Sequence, residues 1–178
     1  MSMESIIEDM YIALDAGAHY AALCVAVTLP EICGRCELED GFSMKGANRS
    51  QEIFQRFVDS YLPDWDIGLT GADLFYLRNG LSHRGQTNKR NTPFRYVFAP
   101  PRGDNSVLHN NRSHRAGKPY RLMIDLAVFC NDIATAVRQW ECDNSENELV
   151  LSNLESVLQK REGDVGTGIH IDGYQYLA

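Results

Sequence analysis

Small and apolar residues recur three or four positions apart through the first thirty residues, at Ile7, Met10, Leu14, Gly17, Ala21, Cys24 and Thr28. That spacing is one face of an α-helix. It predicts a single long helix over residues 3 to 29, stopped by Pro30, which lacks the amide hydrogen that a helix interior uses. Glu31 to Ala47, with three glycines, is expected as a linker. Ile53, Phe54, Phe57, Val58 and Tyr61 then line one side of a second helix, from about Ser50 to Leu62, with Pro63 beyond its end. Thr70 and Asp73 have the form of a capping box, Leu74, Phe75, Leu77 and Leu81 give the apolar side of a third helix, and Gly85 is its natural stop.

The period then changes. Phe94 to Ala99 alternates as a strand does, Pro100 to Asn105 is turn material, and Ser106 to His109 is expected to return as the partner of a short hairpin. Leu122, Leu126, Phe129, Ile133, Val137 and Trp140 step at helical spacing as far as about Glu141, the clearest amphipathic pattern in the chain. Ser145 with Glu148 suggests another capping box, opening a helix that runs to Arg161. The expectation is therefore an all-α bundle of about five helices with one short β-hairpin insertion, since short links favour antiparallel neighbours. It forms one helical domain over residues 1–162, with the hairpin at about 94–110, followed by a glycine-containing tail over residues 163–178.

Composition narrows the class. The 178 residues are 44% hydrophobic, too apolar for a disordered chain and enough for a real core. No window approaches the roughly 18 consecutive apolar residues of a membrane span. The first thirty residues carry four acids and no Lys or Arg, unlike a signal peptide. Five cysteines cannot all pair internally, so a reducing, cytoplasmic setting is expected.

The net charge of −7 hides an uneven distribution. Between Arg84 and Arg121 nine basic residues face one acid, Asp104, a local balance of +8, while the remainder of the chain sums to −15. A basic segment on an acidic body can hold phosphate locally while the body repels indiscriminate binding. The third helix ends in Leu77, Arg78, Asn79, Gly80, Leu81, Ser82, His83, Arg84, Gly85. Histidine moves protons near neutral pH, and arginine offers phosphate a planar, permanently charged fork. Asn79 and His83, four apart, share a helix face, so the amide is placed to orient the imidazole. Arg78 and His83, five apart, lie about 140° apart around a regular helix, so one copy of the helix does not aim them together.

The Arg-Asn-x-x-x-His run late in a helix of an all-α chain resembles the HEPN superfamily, whose signature is an arginine, four to six residues, then a histidine, often with a polar residue after the arginine. The resemblance covers the topology from about Met3 to Arg161 and maps Arg78, Asn79 and His83 onto the motif. It implies a compact helical bundle that dimerises so that two motifs face one cleft. It further implies metal-independent endoribonuclease activity, with no cofactor and no metal, in a toxin-antitoxin or defence setting with an antitoxin or operon partner protein. Ser82, Arg84, Lys89, Arg90, Arg102 and His109 are the expected RNA contacts. The same spacing recurs at Arg102 and His109, inside the expected hairpin, where it reads as coincidence or as accessory phosphate binding.

Two other readings stand beside this one. A catalytically silent relative would keep the bundle and use the basic segment to bind a nucleotide, RNA or protein. A small zinc protein would use Cys33-Gly34-Arg35-Cys36, with His109 and His114 as the distant imidazoles, but the chain has no second CxxC. Cys33 reads instead as a small apolar residue in a packed turn, and Cys36 as incidental.

Overall fold

The computed structural model describes residues 2–39, 47–87, 94–101, 109–114, 116, 120–157, 160–164 and 170–177. Among these the fold is mainly helical, with six helices and two small sheets. No helix among them is long and apolar enough to cross a membrane.

The expected single N-terminal helix is two, α1 (Glu4–Asp15) and α2 (His19–Cys36). Gly17 is the reason. Its φ of +75° is left-handed, and the amides of Gly17 and Ala18 turn back to the carbonyls of Leu14 and Ala13 at 3.1 and 2.8 Å, the paired bonds of a Schellman stop. The period of the apolar face runs through the break, which is why it reads as continuous. Pro30, expected as the stop, instead lies inside α2. Leu29, Pro30, Glu31, Cys33, Gly34 and Cys36 are all buried, so packing on several sides holds a helix that has lost one backbone bond. The expected linker from Glu31 is thus, over its first six residues, helical and largely buried. α2 packs against α1, α3 (Ala47–Tyr61), α4 (Gly71–Arg84) and two later helices.

The strand at Phe94–Ala99, β1, is present, and among the described residues it pairs with a later strand. β2 (Asn111–Ser113) and β3 (Tyr120–Asp125) follow, and β3 lies in the centre: parallel to β1, with Phe94 opposite Tyr120 and Ala99 opposite Asp125, and antiparallel to β2. Of the expected return strand only His109 is among the described residues, and it precedes β2 without belonging to a strand. Leu122, read as the start of a helix, is a strand residue. Leu122 and Leu126 are four apart, a spacing that satisfies both a helix face and an alternating strand. The switch comes at Asp125, whose carboxylate accepts the amides of Ala127 and Val128 at 2.9 and 3.0 Å and opens α5 (Leu126–Asp143) directly from β3.

α6 (Glu148–Leu154) is capped by Asn147, not by Ser145, and ends at Leu154 instead of Arg161. The segment beyond is not a plain tail. β4 (Lys160–Asp164) pairs antiparallel with β5 (His170–Leu177), with a register shift between Glu162 and Gly163, the point at which the domain was expected to end.

The core is built on Trp140, Phe129 and Phe54, all fully buried. Phe129 stands against Trp65 at 5.6 Å and Phe98 at 5.2 Å between ring centres, joining α5 to the loop before α4 and to the sheet. Trp140 donates its indole N–H to Glu37 at 2.7 Å, satisfying the polar edge of the largest buried side chain. Because the Asp125 cap is buried at the strand-to-helix junction, Asp125→Ala is expected to cost about 1–2 kcal/mol in urea denaturation and Asp125→Asn much less; equal stability of all three proteins would show that the junction is held otherwise.

Candidate functional site

α4 is fixed at both ends. At its start Thr70 Oγ1 accepts the Asp73 amide at 3.2 Å and Asp73 Oδ2 accepts the Thr70 amide at 3.1 Å, the expected capping box. The second Asp73 oxygen accepts the Tyr96 hydroxyl at 2.8 Å and so moors the helix to β1. Burial, and then the Asp73 carboxylate, push the Tyr96 phenol well above its usual range. At the other end Gly85 is left-handed, as its position implied, and the Gln86 amide reaches back to the Gly80 carbonyl at 3.1 Å. The Gln86 carbonyl then occupies the place where a Cβ on residue 80 would stand, so the motif's glycine is a steric requirement. Tyr20 of α2 donates its hydroxyl to the Leu81 carbonyl at 3.0 Å.

Between these ends Arg78 turns inward. Its Nη2 lies 2.8 Å from Oε2 of Glu31 on α2, an ion pair out of line for a hydrogen bond, with Glu31 5% exposed. The other Glu31 oxygen accepts Arg35 Nε and Nη2 at 3.1 and 2.9 Å and the Ser50 hydroxyl at 3.2 Å. One buried carboxylate thus joins α2, α3 and α4. Arg78 Nη1 also donates to Asn79 Oδ1 at 3.0 Å. The Asn79 amide, expected to orient His83, thus has its oxygen bound to Arg78. Ser82, His83 and Arg84 are exposed in the last turn, and His83 makes no hydrogen bond or ion pair among the described residues. The structure brings Arg78 and Asn79 together and leaves His83 about 140° around the helix from Arg78. Lys89, Arg90 and Arg102 lie outside the described residues.

Beside this helix end is an open cleft of about 470 Å³ between α2, α4 and β1, lined among others by Tyr20, Leu81, Gln86, Thr87 and Arg95. Thr87 donates to the Tyr96 carbonyl at 2.8 Å, holding the post-helix turn against β1. Glu31 escaped the sequence reading because Pro30 placed it in a linker. The signal that locates it is the Glu31 to Arg35 spacing of four, a helical ion pair.

Asp66, His109 and Asp132 come from three distant segments and place one ligand atom each within 4.8 Å of the others. His109, expected as an RNA contact, is committed here: Nε2 is 3.2 Å from Asp66 Oδ1, and Nδ1 accepts the Asp125 amide at 3.3 Å. That pattern puts the imidazole proton on Nε2, the atom that would have to face a metal. Asp132 accepts the Trp65 indole N–H at 2.9 Å, and desolvation raises its carboxyl above the usual range despite that bond. The cluster reads as a clasp between loops and α5. The cysteines do not form a site either. Cys33 and Cys36 are fully buried inside α2, not in a turn; burial, with neighbouring acidic groups, pushes the Cys33 thiol well up and the Cys36 thiol to about 12, far from the thiolate that metal or redox chemistry needs.

Three outcomes follow from this geometry. Glu31→Ala deprives two partly buried guanidinium groups of their shared carboxylate and is expected to cost about 2 kcal/mol or more, whereas His83→Ala, exposed and unpartnered among the described residues, should change stability by less than about 0.5 kcal/mol; urea melts of both variants check the contrast. Iodoacetamide at pH 8 should modify Cys142, which is exposed, before Cys33, Cys36 and Cys130, which are buried, and peptide mass mapping with and without denaturant reads the order. Compared with protein-family models, with curated proteins and with solved structures, the chain has no significant match.

Proposed function

We propose that the chain is a metal-independent endoribonuclease of the HEPN type, working as a homodimer, with Arg78, Asn79 and His83 as its chemical residues. The observation that carries this reading is the division of labour on α4: Arg78 and Asn79 are held rigidly together, and His83 projects freely from a doubly anchored helix end. Their angular separation leaves the site of one protomer incomplete, and a second α4 tip across a two-fold axis completes it. A toxin or defence role, with an antitoxin or operon partner, is the setting that accompanies such an enzyme.

The chemistry is transesterification. One His83 takes the proton of a ribose 2′-hydroxyl, the oxygen attacks the adjacent phosphorus, and the bond to the 5′-oxygen breaks. The partner's His83 gives that leaving oxygen a proton, so a 2′,3′-cyclic phosphate and a 5′-hydroxyl result. Arg78, already oriented by Asn79, stabilises the charge that builds on the phosphorane. The requirement for a 2′-hydroxyl excludes DNA as a substrate.

A second reading has its own observation. The Glu31 carboxylate neutralises part of the Arg78 charge, which suits a silent module that keeps the motif as a brace and binds RNA or a nucleotide without cutting it. His83→Ala separates the two, because the side chain makes no hydrogen bond or ion pair among the described residues. Incubating wild type and variant with labelled RNAs, transfer RNA included, in EDTA is expected to give cyclic-phosphate products from the wild type alone. Equal cutting by both proteins, or none by a folded dimer across a broad RNA panel, would transfer the assignment to the binding module.

A further inference from the structure

We propose that Arg35 is a positioning residue for the α4 site: by holding the Glu31 carboxylate it leaves Arg78 with a positive charge to offer a phosphodiester, a role that rests on the ribonuclease reading for the identity of the anion alone.

The Glu31 carboxylate is shared unequally. Its Oε1 accepts Arg35 Nε at 3.1 Å, Arg35 Nη2 at 2.9 Å and the Ser50 hydroxyl at 3.2 Å, and Arg35 Nη2 also donates to Ser50 Oγ at 2.9 Å. Toward Arg78 the carboxylate turns Oε2, which lies 2.8 Å from Nη2 but accepts no hydrogen bond among the described residues. Arg35 and Ser50 therefore hold Glu31 by directed bonds, whereas Arg78 is held to it by charge. No other acid pairs with either arginine among the described residues. One carboxylate between two permanently protonated guanidinium groups leaves the cluster with one positive charge in excess. Without Arg35, the same carboxylate would cancel Arg78.

The excess charge is within reach of a ligand. The Arg78 side chain is 29% exposed, against 19% for Arg35 and 7% for Glu31, so of the three it is the one that meets solvent most. Its Nη1 donates to Asn79 Oδ1 at 3.0 Å, and its remaining N–H groups have no hydrogen-bond partner among the described residues. Glu31 Oε2 is the one buried side-chain nitrogen or oxygen among those residues that lacks a hydrogen bond, so the idle nitrogens of Arg78 are open to solvent. A guanidinium fixed on one edge and open on another presents the planar fork that phosphate oxygens take in pairs. Glu31 is withdrawn from water, so its field on Arg78 is weakly screened, and so is the field of Arg35 that offsets it.

The test is fluorescence anisotropy of a labelled twelve-nucleotide 2′-O-methyl RNA, which cannot undergo transesterification, titrated with the full chain at one ionic strength, beside cleavage of transfer RNA in EDTA. Arg35→Gln is expected to weaken binding about tenfold, and Glu31→Gln, which keeps the shape and removes the negative charge, to strengthen it about fivefold. The double variant Arg35→Gln/Glu31→Gln should return to within about threefold of the wild type, because Arg78 regains its excess charge. A purely structural role for Arg35 would leave the double variant at least as weak as Arg35→Gln, and urea melts rank the stabilities separately. Arg138→Gln removes an exposed arginine paired with Glu4 and should stay within about twofold. Absence of RNA binding by the wild type, an unchanged Arg35→Gln, a double variant no better than Arg35→Gln, weaker binding by Glu31→Gln, or an equal loss in Arg138→Gln overturns the assignment; if Arg35→Gln does not fold, the sign of the Glu31→Gln change decides. The expected order of affinities in a protein that never cuts RNA sustains the role of Arg35 in anion binding and removes the catalytic reading, whereas cutting by a wild type whose affinity ignores Arg35 does the reverse.

Discussion

The carboxylate of Glu31 is the constraint around which the rest is arranged. It sits inside the fold, in contact with Arg35 from its own helix, Ser50 from α3 and Arg78 from α4. Withdrawing such a charge from water is costly, and only several charged and hydrogen-bonding partners in good geometry offset that cost. The partners come from three helices, so the carboxylate sets their relative positions more sharply than apolar contact does. It also explains why a helix runs through Pro30: the residues after the proline are needed on a helical spacing, because Glu31 and Arg35 face each other only one turn apart.

From that anchor α4 extends as a stiff arm. Its first turn is tied to the sheet through Asp73 and Tyr96, and its last turn to α2 through Tyr20. Between them Arg78 is fixed by Glu31 and Asn79. What remains free is the tip, Ser82 to Arg84, which projects beside a cleft instead of into the core. A rigid support with a few unsatisfied polar groups at its end is the arrangement in which binding or chemistry is best organised, since positioning is supplied in advance by the scaffold.

The thiol pair and the histidine–aspartate cluster that invite a metal or redox reading are absorbed by structure. The CxxC lies inside a buried helix where its thiols stay protonated. His109 and its two aspartates hold the segment before β2 against the α3–α4 loop and α5. Each is accounted for by the packing of elements that lie far apart in the chain.

Local signals made much of this legible. The capping box at Thr70 and Asp73, the stop at Gly85, the second helix and the strand at Phe94–Ala99 all depend on interactions within a few residues, and there the sequence pattern and the structure agree. The failures share a cause. Gly17 broke a helix without interrupting its apolar period, Pro30 failed to end one because burial outweighed a single missing hydrogen bond, and Leu122 satisfied two periods at once. The parallel pairing of β1 with β3 joins residues 26 apart in register, and no local pattern encodes it. The motif residues themselves were visible in the sequence, as was the 140° between Arg78 and His83, because helix geometry depends only on spacing. That Arg78 would be drawn inward by Glu31 and that Arg95 would come to lie beside Arg121 in register was decided by tertiary structure alone, since both join elements far apart in the chain whose relative placement is set by what they pack against.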